Sequence, residues 1–172
     1  MGGVADVLDG QGGVKNDDSR KLFRTFFEKL TPFIAAAGKG ASARSFKAFL
    51  ERRATIASAY VDGDAQPLAA IVTGEDPATF LSPRGDVIQG ARVVAERYAH
   101  DAAAFAPGGQ NRLEILQSGA AGDVGWWTGY QIAEARMKGK DATVAMKLRV
   151  TEAFRLGPDG WKMVHRHAEI AS

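Results

Sequence analysis

Strict alternation of apolar and polar residues marks the C-terminal part of the chain as a pair of strands. Between residues 144 and 156 the even positions are apolar except for Glu152, and most odd positions carry Lys, Arg or Thr. Successive side chains of a strand point to opposite faces, so this pattern predicts a strand with one buried face. The Gly-Pro-Asp-Gly sequence at 157–160 predicts a tight turn, because proline presets φ and glycine tolerates positive φ. A second strand follows it.

The turn also predicts the register of this hairpin. Counting outward from a four-residue turn gives four opposed pairs: Leu156 with Trp161, Phe154 with Met163, Glu152 with His165, and Val150 with His167. Directly opposed residues lie on one side of a sheet, with Cβ atoms about 5 Å apart. We therefore expect Glu152 and His165 to be within hydrogen-bonding reach on an apolar face. A slip of one residue would send the histidines to the other face.

Helical spacing of apolar residues precedes the strands. Two segments, 18–34 and 42–61, show this spacing, and a Gly-rich linker at 35–41 joins them. Turn and cap signals predict the remaining elements: helices at 64–72 and 90–105, and strands at 78–81, 86–88, 112–121 and 124–137. Helices followed by antiparallel strands indicate an α+β fold. We expect residues 1–41 to be a tail with an extra amphipathic helix, and residues 42–172 to be the domain proper.

Composition narrows the possible functions. The 172 residues suffice for one domain with a core, and 22 Lys and Arg against 20 Asp and Glu leave a net charge of only +2. That surplus is no basic patch, so we expect no nucleic-acid partner. The absence of cysteine excludes disulfides and thiolate sites and fits a cytoplasmic location. No apolar run approaches about 18 residues, so we expect no membrane span.

Four stretches carry a family resemblance. They are AYVDGDAQPLAAIV at 59–72, DPATFLSPRGDVIQG at 76–90, ARVVAERYA at 91–99 and LRVTEAFRLGPDGWKMVHRH at 148–167. In this order they resemble the SnoaL-like, ketosteroid-isomerase-like superfamily, which shares the cone-shaped fold of nuclear transport factor two. The resemblance spans roughly residues 42–169. It implies helices packed on a strongly curved, mainly antiparallel sheet, a cystatin-like cone with a pocket inside. The fold serves isomerases, cyclases, dehydratases and non-catalytic assembly domains alike.

The isomerases of this superfamily use a carboxylate base, a tyrosine and a protonated aspartate. By position, the base falls on Ser82, which cannot act as one, and the tyrosine falls near Ile56, one turn before Tyr60. The protonated aspartate falls on Glu152, two residues before the Phe-Arg pair. Only one of the three positions keeps its chemistry, so we do not expect steroid isomerase activity.

These considerations give a candidate site. His165 is the candidate general acid–base, and Glu152 would orient it or donate a hydrogen bond. The predicted pocket residues are Tyr60, Trp126, Thr128, Tyr130, Phe154, Met163 and His167. Glu152 could instead have a purely structural role, in an ion pair with His165 or an arginine. The two histidines could likewise only form hydrogen bonds to neighbouring residues of the sheet. A His-x-His pair with a carboxylate could also bind metal, but the resemblance implies neither metal nor cofactor.

Two functions remain open from the sequence. One is a cofactor-independent isomerase, cyclase or dehydratase acting on a small apolar carbonyl compound. The other is a non-catalytic ligand-binding or oligomerisation module of the same fold. The sheet face with Lys147, Arg149, Thr151 and Arg155 is expected to meet a second copy in a homodimer. The helix at 18–34 is expected to cover an apolar surface, because its stripe holds four phenylalanines.

Overall fold

The computed structural model describes residues 41–140 and 142–171. Three helices are present in this part of the chain: α1 (Ala41–Val61), α2 (Gln66–Ala69) and α3 (Ala91–Ala102). Its strands are β1 (Thr79–Leu81), β2 (Val87–Gln89), β3 (Phe105–Ala121), β4 (Val124–Met137), β5 (Thr143–Gly157) and β6 (Gly160–Ile170). The helix predicted at 18–34 lies outside the described residues, and both it and the proposed division into residues 1–41 and 42–172 stay predictions.

The predicted α+β architecture is confirmed. The strands form one open, curved sheet in the order β2-β1-β6-β5-β4-β3. All neighbouring strands are antiparallel except β1 and β6, which are parallel. The long strands β3 to β6 follow one another as hairpins, so contacts between neighbours in sequence build most of the sheet.

Helix α1 packs on the sheet through the face that its apolar spacing predicts. Phe46, Phe49 and Ala57 on this face are almost completely buried. The ring of Phe46 lies edge-on to Trp161 of β6 at a centroid distance of 4.8 Å, and Phe49 lies edge-on to Phe154 of β5 at 5.0 Å. We call the sheet face that meets α1 the inner face and the opposite one the outer face.

The β5–β6 hairpin follows the predicted register only near its turn. Leu156 pairs with Trp161 and Phe154 with Met163, as expected from the four-residue turn. A β-bulge then leaves Val164 without an opposed residue, and Ala153 pairs with His165. From this point the predicted register is wrong by one residue, which exchanges the two faces of β6.

The bulge lies where β6 changes its neighbour on the other edge. Met163 exchanges backbone hydrogen bonds with Ile71 and Thr73, whereas His165 pairs with Thr79 of β1. Strand β6 must therefore pair with two different segments along one edge, first residues 71–73 and then β1. Tertiary contacts of this kind are not visible in the alternation of β5 or in the turn sequence.

The inner face of β4 also differs from the prediction. Trp127 pairs with Glu152 and is 0% exposed, so the odd-numbered residues of this strand face the core. Trp126, Thr128 and Tyr130 consequently lie on the outer face, where they cannot form walls of an inner pocket. Alternation predicts that these three residues share a face, and only the pairing with β5 shows which face it is.

Candidate functional site

Glu152 lies at the centre of a buried ion-pair cluster on the inner face. Its side chain is 0% exposed. Arg53 of α1 donates from Nη2 to Oε1 at 2.7 Å and from Nε to Oε2 at 3.0 Å. Trp127 donates from Nε1 to Oε2 at 2.8 Å, and Arg166 donates from Nη1 to Oε1. Four donors therefore occupy the four lone-pair positions of one carboxylate.

This cluster determines the protonation state of the carboxyl group. Burial alone raises the pKa of Glu152, but the charges of Arg53 and Arg166 and the hydrogen bonds from Arg53 and Trp127 outweigh it. The pKa of Glu152 is consequently lowered, and the group is an ionised carboxylate. It has no proton to donate and no free acceptor position with which to orient a histidine.

The predicted contact between Glu152 and His165 is wrong. The bulge places Arg166 opposite Glu152 and turns His165 and His167 to the outer face. His165 Nδ1 lies 2.6 Å from Thr79 Oγ1. Burial, together with the charge of His167, lowers the pKa of His165. His167 is exposed. The structural alternative for Glu152, an ion pair with an arginine, describes the observed contacts.

A cavity of about 890 Å³ opens beside this cluster, between α1, α3 and the inner face of the sheet. That volume lies within the usual range for small-molecule sites. Its walls are mainly apolar and include Leu68, Phe80, Ala133, Met146, Leu148 and Ala168. Of the predicted pocket residues, Tyr60 lines it, and the pKa of this tyrosine is raised by burial and by the charge of Asp101.

The remaining predicted pocket residues lie elsewhere. Phe154 and Met163 do point to the inner face, but they belong to the packed core with Phe46 and Trp161. His167 and the three outer-face residues of β4 are not part of the cavity wall. Ser82, which occupies the position of the isomerase base, donates from Oγ to Asp86 Oδ2 at 3.0 Å and is held within its turn.

Four polar residues outside the predicted site line the deep end of the cavity. They are Arg53, Tyr98, Gln131 and Arg166. Arg166 Nη2 donates to Gln131 Oε1 at 2.6 Å, and Gln131 Nε2 donates to Asn111 Oδ1 at 2.9 Å. Arg53 carried a signal in the sequence, because it is a charge on the apolar face of a helix. Arg166 has no such signal in the sequence, because only the bulge in β6 turns its side chain to the inner face.

The described residues hold no grouping of three His, Asp or Glu side chains that could bind a metal ion. None of the helices in this part of the chain has the length and apolar character needed to cross a bilayer.

The family model of the SnoaL-like domain matches residues 50–171, which covers the cavity, the ion-pair cluster and all six strands. The chain belongs to the SnoaL-like domain family. The resemblance inferred from the four sequence stretches is confirmed by this match. No curated protein matches this SnoaL-like domain.

Solved structures resemble the domain in fold. A candidate dehydratase of the NTF2-like family from Streptomyces avermitilis is 24% identical, with a TM-score of 0.60 over 72% of this chain and 93% of that chain. The CaMKII hub of S. rosetta is 17% identical, with a TM-score of 0.54 over 77% and 98%. An NTF2-like protein of unknown function in nutrient uptake from Rhodospirillum rubrum is 25% identical, with a TM-score of 0.52 over 73% and 98%. These likenesses show that the domain has the NTF2-like fold.

Proposed function

We propose that this SnoaL-like domain binds a small organic molecule with a mainly apolar body inside the cavity. The observation that carries the proposal is the cavity of about 890 Å³ with apolar walls and a polar deep end. Such a combination is typical of small-molecule sites, where apolar contact supplies affinity and a few polar groups set the orientation.

Binding without catalysis is favoured over the isomerase hypothesis by the chemistry at the deep end. The ionisable groups there are two arginines and Tyr98, Tyr60 also lines the cavity, and burial raises the pKa of both tyrosines. Glu152 is saturated by its four donors, and His165 lies on the other face of the sheet. General acid–base catalysis needs a group that can exchange a proton near neutral pH, and these deep-end groups do not supply one. The imidazole of His100, which also lines the cavity, is largely exposed to solvent.

A pair of neighbouring substitutions tests the proposal. Ala104 is exposed and lines the cavity, whereas Ala103 is exposed and does not line it. Ala104→Trp should narrow the cavity and weaken the binding of small alicyclic and aromatic compounds by about tenfold or more, a loss of about 1.4 kcal/mol. Ala103→Trp is the matched control and should bind as the wild type does. Equal affinities of the two variants in calorimetric titrations would refute binding in this cavity.

Assembly through the outer face is a second candidate function. Trp126 is 40% exposed there, and Arg149 pairs with Glu169 on the same open surface. The structural likeness to the CaMKII hub supports the same idea. We expect wild-type protein to be a homodimer by light scattering, and Trp126→Glu to shift it toward monomer. Val93→Glu, on the exposed side of α3, is the control and should leave the mass unchanged. A monomeric wild type would refute this candidate.

A further inference from the structure

We infer that the cavity takes a ligand with a carboxylate head group, which the deep-end residues Arg53 and Tyr98 bind directly. This inference rests on the proposed function, because it names the chemical class of the molecule that the same cavity binds. It follows from the charge balance of the Glu152 cluster and from two buried donors that lack a partner among the described residues.

The Glu152 cluster carries an unbalanced positive charge. Two buried guanidinium groups, Arg53 and Arg166, face one carboxylate, that of Glu152. Arginine stays protonated in proteins, so the cluster keeps one net positive charge out of contact with bulk water. A buried charge without a counter-charge is costly. A monoanion at the deep end of the cavity would remove that imbalance, whereas a dianion would leave an excess negative charge in its place.

Two buried donors beside the cavity lack an acceptor among the described residues. Arg53 uses Nε and Nη2 on Glu152, while its Nη1 has no hydrogen-bond partner among the described residues. The hydroxyl group of Tyr98 is buried and is likewise without a partner there. Both side chains line the cavity, but Nη1 of Arg53 and the hydroxyl oxygen of Tyr98 have almost no exposed surface, so a head group reaches them only when neighbouring side chains shift. Buried polar groups almost always find partners, so two such donors in one wall point to an absent acceptor.

The two donors belong to one electrostatic environment. The charges of Arg166, Glu152 and Arg53 all act on the hydroxyl of Tyr98, and burial raises its pKa, which keeps it a neutral donor. A carboxylate has two acceptor oxygens, one for a guanidinium and one for a phenol. A primary amide is uncharged and has a single carbonyl oxygen, so it neither offsets the positive charge of the cluster nor offers each donor an oxygen of its own.

The rest of the cavity wall has the same charge preference. Among the described residues its basic members outnumber its acidic ones: Arg53, Arg84, Arg97, Arg166 and Lys140 against Asp101 and Glu134. A concave surface lined mainly by one sign of charge attracts counter-ions of the other sign. The apolar walls formed by Phe80 and Leu148 are then available to the hydrocarbon part of the molecule.

Matched pairs of compounds test the head group. Hexanoate, cyclohexanecarboxylate and phenylacetate are each compared with their primary amide by calorimetry and by NMR of the full-length protein, with the side-chain signal of Arg53 as a local reporter. We expect each acid to bind at least about tenfold more tightly than its amide, because hydrogen bonds to charged groups are about twice as strong as neutral ones. We also expect the acid to shift the Arg53 signal more.

Tyr98→Phe is the principal variant, because removal of an unpartnered hydroxyl breaks no hydrogen bond among the described residues. It should weaken the acids by about tenfold and the amides much less, since a hydrogen bond to a charged group is about twice as strong as one between neutral groups. Tyr130→Phe on the outer face is the matched control and should change neither. Arg53→Lys serves as a further variant only if it remains folded, because Arg53 also holds Glu152.

The outcomes separate this inference from the proposed function. Acids and amides that bind equally well, with Tyr98→Phe unchanged, would overturn the carboxylate preference and leave binding in the cavity intact. If neither series binds, both the inference and the proposed function are overturned. Stronger acid binding that depends on Tyr98 but not on Tyr130 supports both.

Discussion

Arg166 lies opposite Glu152 in the β5–β6 pair, and its guanidinium group donates a hydrogen bond to the Glu152 carboxylate. Arg53 reaches the same carboxylate from α1, so one ionised group joins a helix to two strands. The cavity begins at this cluster. Stability of the inner face and the proposed recognition in the cavity therefore depend on the same side chains.

Loss of Glu152 should be severely destabilising. Glu152→Gln would leave Arg53 and Arg166 buried without a counter-charge, and we expect it to lower the free energy of unfolding by about 3–5 kcal/mol. Glu169→Gln is the control, because Glu169 pairs with Arg149 on the surface, where both side chains are about half exposed, and should cost at most about 1 kcal/mol. Urea denaturation measures both variants. A loss below about 1 kcal/mol for Glu152→Gln would contradict the cluster's role.

The lowered pKa of Glu152 predicts how the stability of the protein changes in acid. The pKa of Glu152 is lowered in the folded state from its ordinary 4.5. Its contribution to stability is therefore complete above about pH 4.5 and declines as the pH falls through the folded-state pKa, because the unfolded chain takes up the proton first. The stability difference between wild type and Glu152→Gln should shrink over this acid range. A difference that stays constant from about pH 7 to about pH 3 would show that the pKa is not lowered.

Neighbouring tryptophans should differ in their sensitivity to substitution. Trp127→Phe removes the indole donor to Glu152 Oε2 in a fully buried position, and we expect a loss of about 1–3 kcal/mol. Trp126→Phe, on the outer face, should cost about 0.5 kcal/mol or less. Guanidinium denaturation of the two variants gives the comparison. Equal losses would indicate that the assignment of β4 faces is incorrect.

The two histidines of β6 should be dispensable for binding in the cavity. His165 and His167 lie on the outer face, away from the cavity wall. We therefore expect His165→Asn and His167→Asn to change the affinity for cavity-binding carboxylates by no more than about 0.5 kcal/mol. Calorimetric titration with phenylacetate measures this effect. A tenfold loss in either variant would return the histidines to the pocket and restore the acid–base hypothesis.

Gly129 should be required by the β3–β4 pair. A Cβ atom at this position would lie 1.9 Å from the carbonyl oxygen of Glu114, next to the irregular pairing between Ile115 and Gln117. Backbone cannot move aside as a flexible side chain can, so Gly129→Ala should cost about 1–3 kcal/mol or more. Gly157→Ala, where a Cβ would meet nothing within 4 Å, should cost much less. Similar melting temperatures of the two variants would contradict this expectation.

Local patterns determined most of the fold. Alternation in β5, the Gly-Pro-Asp-Gly turn and the helical spacing of α1 each depend on residues close in sequence, and the structure confirms all three. The inward position of Glu152 follows from the same alternation. These features were accessible because a side chain's face within one element is set by backbone periodicity alone.

The residues that form the candidate site depend on how neighbouring strands pair. Val164 is the additional residue of a bulge that forms where β6 passes from the segment around Val72 to β1. That single residue exchanged His165 for Arg166 at the position opposite Glu152. Likewise, only the pairing of β4 with β5 decided that Trp127, rather than Trp126, faces inward. The sequence by itself therefore determined the fold family and the buried carboxylate, whereas the tertiary structure decided its partners, because register between strands is set by contacts that no local pattern contains.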